Sequence, residues 1–412
     1  MMKWLIRVFG RIAKKILPKK VYDWLFYKSL HVLGKMRSRS LKKVKNRSAM
    51  LQSGVNLFTY CHMKNSAGVE ARLLEQMLQD ANIPYHIIDL EDPLCVKNMD
   101  GELYNVNLIV CHVANKLEFY MLQAGIDLRD FYNIGYMAWE LPSLPDSLLS
   151  SLDMFQEMWT LSDFCTGAIG MKATVPVLSV PLFADSNTSV IENGRDYFGF
   201  DKDIFLFMLA YDCNSYVSRK NPQAAVEAFL KAFSPQDSNV GLVIKLTYPD
   251  NYKDHIVELK QQLAPYPHVY FIEQYLSDEE MRTLIQASDT YVTLHRSEGL
   301  GLIPLEAMLL GTPVISTAWS GNMEYMTHMN TALVGYEMVP VDGRYVGSVP
   351  GDDLVWAEPD VAEAAEHMRR MVIDAQWREK LIANGKFTAE KCFSVANISK
   401  IARDRLEFLK LI

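Results

Sequence analysis

TYVTLHRSEGLGLIPLEAMLLGTP, residues 290–313, reads as a strand, a glycine-rich turn and a helix in direct succession. Tyr291, Val292 and Thr293 belong to the β-branched and aromatic set that favours strands. Gly299 and Gly301 permit close approach to the backbone, and Pro304 is tolerated in the first turn of a helix. Gly311 with Pro313 two residues on is a helix stop. The N–H groups of Gly299, Leu300, Gly301, Leu302 and Ile303 would then form an anion site at the helix start. Glu298 stands before that helix and Glu306 within it, so both can point toward the same strand-end cleft. Carboxylates only accept hydrogen bonds, which suits them to sugar or ribose hydroxyls.

Outward from this segment, short apolar runs alternate with helical patterns. GVNLFTY, YHIIDL, NLIVCHV, NIGYMAW and VPVLSVP form a first series, with the helical VEARLLEQMLQDA after the first of them. A polar break near residues 183–200, containing Asn193-Gly194, precedes a second series. That series includes FLFMLAY, PQAAVEAFLKAF, GLVIKL, HVYFIEQY, EEMRTLIQA, TYVTLH and PVIST. Such alternation implies an α/β chain of parallel sheets with helices on both faces. Two series predict two doubly wound, Rossmann-like domains facing across a cleft, over residues 51–190 and 191–392.

Two further segments should lie at strand ends in that cleft. Arg219-Lys220-Asn221-Pro222 follows FLFMLAY, with Pro222 opening a helix and the two cations left in the loop before it. A planar guanidinium fork beside an ammonium is suited to a diphosphate. Lys64-Asn65-Ser66-Ala67-Gly68 follows the first strand and offers small residues for a phosphate or sugar. It lacks G-x-G-x-x-G, which weakens a dinucleotide reading. His112, ending NLIVCHV, and the Trp139-Glu140 loop should line the cleft from the first domain. His62 and His295 are weaker candidates, a lone histidine on an apolar strand being more often a satisfied structural residue. Asp201-Lys202-Asp203 reads as a solvated turn rather than a metal site.

The 412 residues are 49% hydrophobic and 22% charged, enough for sizeable cores and too apolar for disorder. The net charge of −7 hides a split: residues 1–50 hold fifteen Lys/Arg against Asp23 alone, so the remainder is strongly acidic. An acidic body argues against nucleic-acid binding. Trp4, Leu5, Val8, Phe9, Ile12 and Ile16 recur at helical spacing among cations. That is the pattern of an amphipathic helix on an anionic membrane surface. No apolar run is long enough to span a bilayer, and the early charges do not suit a secretory signal. Six scattered cysteines without C-x-x-C suit a reducing compartment and give no support to a zinc site.

Taken together, these motifs resemble the retaining glycosyltransferases of the GT-B fold, family four (glycosyltransferase group one). Glu298 and Glu306 match the E-x7-E motif of that family, and Arg219-Lys220-Asn221-Pro222 matches its R-K-N-P segment. Trp319-Ser320-Gly321-Asn322 and Trp356-Ala357-Glu358-Pro359 are similar to a bacterial branch used in surface-polysaccharide assembly. The resemblance implies that Glu306 holds the ribose and Glu298 the donor sugar, with Arg219 and Lys220 on the diphosphate and Gly68 near it. It implies that His112 touches the donor sugar, and that a last helix over residues 393–410 crosses back onto the first domain. The expected activity is metal-independent transfer of a hexose from a UDP- or GDP-linked sugar to a glycan or lipid-linked acceptor. No cofactor is expected, and the expected place is the cytoplasm, at the inner face of the membrane. A sugar-nucleotide epimerase or phosphorylase, or a non-catalytic nucleotide-sugar-binding partner of an assembly complex, are the alternatives.

Overall fold

Val55–Thr59 (β1) buries all five of its residues, the signature of a strand covered on both faces of a parallel sheet. It pairs in parallel with Tyr85–Asp89 (β2) on one side and Val106–Val110 (β3) on the other. Tyr132–Met137 (β4), Glu157–Thr160 (β5) and Val177–Ser179 (β6) complete a six-stranded parallel sheet in the order β2-β1-β3-β4-β5-β6. These elements belong to a computed structural model that describes residues 51–92, 95–98, 102–110, 120–121, 124–149, 152–341 and 354–412. The basic segment 1–50 and His112 lie outside the described residues.

The second sheet begins at Phe205–Asp212 (β7), followed by Val240–Thr247 (β8), Val269–Ile272 (β9), Thr290–Thr293 (β10), Val314–Thr317 (β11) and Ala332–Val334 (β12). Its order is β12-β11-β10-β7-β8-β9, again wholly parallel. Alternation along β7 sends Leu206 and Met208 to one core and Phe207 and Leu209 to another, so both faces are packed. An antiparallel hairpin, Tyr336–Pro340 (β13) with Val355–Pro359 (β14), stands apart from both sheets.

Local chemistry sets the helix boundaries. Asn65 caps the helix Ser66–Asp80 (α1) through its side-chain oxygen. Pro222 opens Pro222–Ala232 (α2) directly after Asn221, whose φ of 49° ends the preceding helical turn Val217–Lys220. Ser277 and Glu280 form a reciprocal capping box on Asp278–Ala287 (α3). Leu302–Leu310 (α4) is bounded by two left-handed glycines, Gly301 (φ 85°) and Gly311 (φ 80°).

The last helix, Val395–Phe408 (α5), returns from the second domain to pack on α1. Arg403 donates to the Ala81 carbonyl, and Arg405 makes a bidentate pair with Glu157, which is fully buried in β5. The Trp159 indole N–H, 2.6 Å from the same carboxylate, occupies another of its lone pairs. A buried carboxylate is tolerated only with such partners.

Candidate functional site

A cleft of about 720 Å³ runs between the carboxyl ends of the two sheets, where ligands of doubly wound folds bind. Its second-domain wall is built from the ends of β7, β8 and β10 and the start of α4. Gly301 sits at the N-cap with φ 85°, a conformation that favours glycine. A Cβ on Gly321 would fall 1.9 Å from the Gly299 carbonyl oxygen, so the second glycine loop needs its hydrogen to lie against the first. The Tyr325 hydroxyl then donates to the Gly301 carbonyl at 2.5 Å.

Glu298 is the centre of the charged cluster. Its carboxylate oxygens lie 2.5 Å from the Lys220 ammonium and 3.0 Å from the Arg219 guanidinium. Its backbone N–H donates to Ser320 Oγ at 2.7 Å. Burial pushes the Glu298 carboxyl up, but Lys220 and Arg219 outweigh that and hold it well below the usual carboxylate range. Arg219 is buried and donates to the Ser297 carbonyl at 2.7 Å and to Ser215 Oγ at 3.0 Å, with Glu140 3.6 Å away. The cations therefore occupy a short helical turn rather than the open loop expected from sequence. Behind them, Arg296 pairs with Glu358 of β14 at 2.5 Å and donates to the Ser218 carbonyl, tying the hairpin to this turn.

Glu306 lines the same cleft on α4, and the described residues give it no hydrogen-bond partner. Burial pushes its carboxyl up to about 7, against a partial pull from Arg282. His295 is fully buried, and among the described residues neither ring nitrogen has a partner. Desolvation pushes it down to about 4, so it is neutral at physiological pH. It is buried as sequence suggested, but not satisfied.

On the first-domain side, Lys64, Asn65, Ser66 and Glu140 line the cleft, whereas Gly68 and Trp139 do not. A Cβ on Gly68 would sit 1.8 Å from the Met63 carbonyl oxygen, so this glycine serves the turn leading into α1. Trp139 is buried, its indole donating to the Ser143 carbonyl, while its own carbonyl accepts from Cys165. Gly299, Leu300, Gly301, Leu302 and Ile303 all reach the cleft. Asp201, Lys202 and Asp203 are exposed and away from it.

The domains meet through the same loops. Ser162 Oγ donates to the Gly299 carbonyl at 2.6 Å, Ser297 Oγ to the Glu140 carbonyl, and Arg72 pairs with Asp278 at 2.6 Å. Lys245 and Asp212, at the ends of β8 and β7, also line the cleft. Sequence reading missed both, because one cation within the apolar GLVIKL gives no sign of which way it points. Among the described residues, one group has metal-ligand spacing: Cys61, His62 and Asp89, with donor atoms within 4.8 Å of one another. None of the three lines the cleft.

Residues 212–338, which include Arg219, Lys220, Glu298 and Glu306, match the family described as Glycosyl transferases group 1. An uncharacterized glycosyltransferase of Methanocaldococcus jannaschii is 25% identical over 187 residues, 45% of this chain and 42% of that protein. The match thus spans less than half of that relative's length. Among solved structures, HepE of Anabaena in complex with UDP and glucose shares the fold with a TM-score of 0.64 at 14% identity, over 87% of this chain and 100% of the other. Sucrose-phosphate synthase of Thermosynechococcus elongatus gives a TM-score of 0.64 at 14% identity, over 87% and 99%. Two parallel six-stranded sheets facing across this cleft are the GT-B architecture shared with these structures, and within the second domain residues 212–338 are similar to the group 1 glycosyltransferases.

Proposed function

We propose that the chain is a retaining hexosyltransferase that moves a sugar from a nucleoside diphosphate donor, UDP- or GDP-linked, to a glycan or lipid-linked acceptor in bacterial surface-polysaccharide synthesis. The observation that carries this reading is the Lys220–Glu298–Arg219 cluster beside the amide-rich start of α4. Transfer from such a donor requires the leaving diphosphate to be stabilised as charge develops on it. Arg219, Lys220 and the N–H groups of residues 299–303 form a fixed positive surface for that purpose. With this surface supplying the charge, the reaction is proposed to run without a divalent ion. Glu306, half-buried with no hydrogen-bond partner among the described residues, is assigned to the ribose hydroxyls. Same-face attack by the acceptor, its proton passing to the departing phosphate, needs no separate base. The solved relative that holds UDP and glucose supports a nucleotide sugar in this fold.

The surface-polysaccharide assignment is supported by the Trp319–Asn322 and Trp356–Pro359 segments and by the basic residues 1–50, which would hold the enzyme at the inner membrane face. Among the described residues no helix is long and apolar enough to cross a membrane. Equal flotation of full-length and tail-deleted protein with anionic vesicles would overturn the membrane assignment.

The deciding experiment is a screen of UDP-, GDP-, ADP- and dTDP-sugars for binding and slow hydrolysis, in chelator, with Glu306→Ala as control. One donor turned over by the native chain and lost in the variant is the expected result. Activity that vanishes in chelator and returns with a divalent ion overturns the metal-free step. Release of an isomerised donor without acceptor favours the epimerase, and no response to any donor overturns the transferase.

A further inference from the structure

Lys245 is a buried ammonium that forms no ion pair among the described residues. It lies 4% exposed near the carboxyl end of β8, beside Ala210 of β7 in the parallel register. Its neighbours Ile244 and Leu246 turn into the core on the far face of the sheet, while Lys245 faces the cleft with Asp212, Thr247 and Lys220. Nζ donates to the Leu246 carbonyl at 2.7 Å and to Thr247 Oγ1 at 3.2 Å. An ammonium has three protons to give, so one remains for another acceptor. Among the described residues no carboxylate lies within 4.0 Å of it. Arg219 and Lys220, by contrast, are already held by Glu298.

Burying a charge whose hydrogen bonds go only to neutral oxygens is costly. A purely structural role at this strand end would be met by a neutral amide. We propose that Lys245 is a third cation for the donor, its ammonium binding the phosphate groups of a nucleoside diphosphate that extends along the cleft from the Arg219–Lys220 turn. This rests on the transferase reading and adds to it the strand β8 as part of the nucleotide subsite. Asp212 and Cys213, from the end of β7, are the acidic groups that act on Lys245, and Asp212 also feels Lys220. Desolvation sets the free ammonium's pKa at about 8, below the ordinary lysine range. An arriving phosphate restores the charge, so binding near that pH must draw a proton from solution.

The test is calorimetric titration of the full chain and of Lys245→Met with UDP, GDP and ADP, and with the matching nucleosides, at pH 8 in two buffers of different ionisation enthalpy. Lys245→Met should bind the diphosphate about 10- to 100-fold more weakly, with nucleoside binding within about twofold. The buffer-dependent proton uptake of the native chain should disappear in the variant, and Lys245→Arg should keep most of the affinity. Replacing a buried charge that forms no ion pair among the described residues by a thioether of similar length should leave stability equal or raised. Undiminished diphosphate binding in Lys245→Met overturns the proposal alone, as does an equal loss of diphosphate and nucleoside. If Lys245→Met fails to fold, weak diphosphate binding by Lys245→Arg overturns it instead. A native chain that binds none of the nucleotides overturns the transferase reading and this inference with it.

Discussion

Lys220 and Glu298, 78 positions apart in sequence, meet at 2.5 Å where the turn after β7 faces the start of α4. The pairing aims the ammonium at the site assigned to the leaving diphosphate and keeps Glu298 ionised. Glu298 retains its Arg219 partner when Lys220 is removed, so Lys220→Ala should cost under about 1 kcal/mol of stability. Losing a fixed donor at the leaving group should lower kcat by about 100-fold or more. Arg219→Ala should behave differently, since its guanidinium also holds Ser297 and Ser215 in a buried setting and its loss should lower the melting temperature. Equal melting losses in the two variants, or an active Lys220→Ala, would refute this division of roles.

Glu306 should trade stability for donor affinity in a pH-dependent way. Its carboxyl titrates near 7 in the folded chain, against an ordinary value of 4.5. Between those values the folded chain holds a proton that the unfolded chain has released, so this group's contribution to stability falls as pH rises and stays reduced above 7. Glu306→Gln removes the effect. It should match the native chain near pH 4 and exceed it at pH 8 by on the order of 2 kcal/mol, discounted for its solvent-facing edge. Its nucleotide affinity should fall at the same time. Denaturant melts at the two pH values, with nucleotide titrations, check both halves, and parallel pH–stability curves would count against the buried carboxyl.

Arg405 and Glu157 couple the last helix to the first sheet. Glu157 is completely buried, so Arg405→Met strands a carboxylate in the core and should cost about 3–5 kcal/mol. The double variant Glu157→Met, Arg405→Met should recover much of that loss, because an apolar pair needs no counter-charge. Denaturant unfolding of the two single variants and the double completes the cycle, and additive losses would show that the pair is not coupled.

The same pair shows where sequence reading stops. β10 and α4 were legible because their signals are local: a β-branched run, two glycines, a proline and a terminal glycine within one stretch. β5 begins with a glutamate whose partner lies 248 positions away, so nothing in its own four residues announced a buried strand. β13 is largely exposed and β12 has three residues, which leaves neither a full pattern of burial. At the site, Glu298, Glu306, Arg219 and Lys220 stood in recognisable motifs, and the fold brings all four to one cleft. Lys245 did not, since whether a lone strand cation faces solvent or a cleft depends on which face its neighbours bury. Gly68 carried a ligand-like signal whose physical cause is the approach of the Met63 carbonyl, visible only once the turn is built.

Arg72 of α1 and Asp278 of α3 close the mouth of the cleft with a 2.6 Å ion pair between the domains. Each side chain is about half exposed, at 47% and 48%, so water and salt screen the pair and its worth to global stability is under about 1 kcal/mol. Its leverage falls on domain closure, where a small bias changes the fraction of molecules with an assembled site. Arg72→Ala should therefore leave the melting temperature nearly unchanged while raising KM for the donor by a few-fold. Added salt should raise KM of the native chain toward the variant's value and shift the variant less. Titrating sodium chloride in steady-state assays of both proteins distinguishes the outcomes: identical salt responses would mean that the pair does not bias closure, and a large melting loss would mean that Arg72 is a packing residue instead.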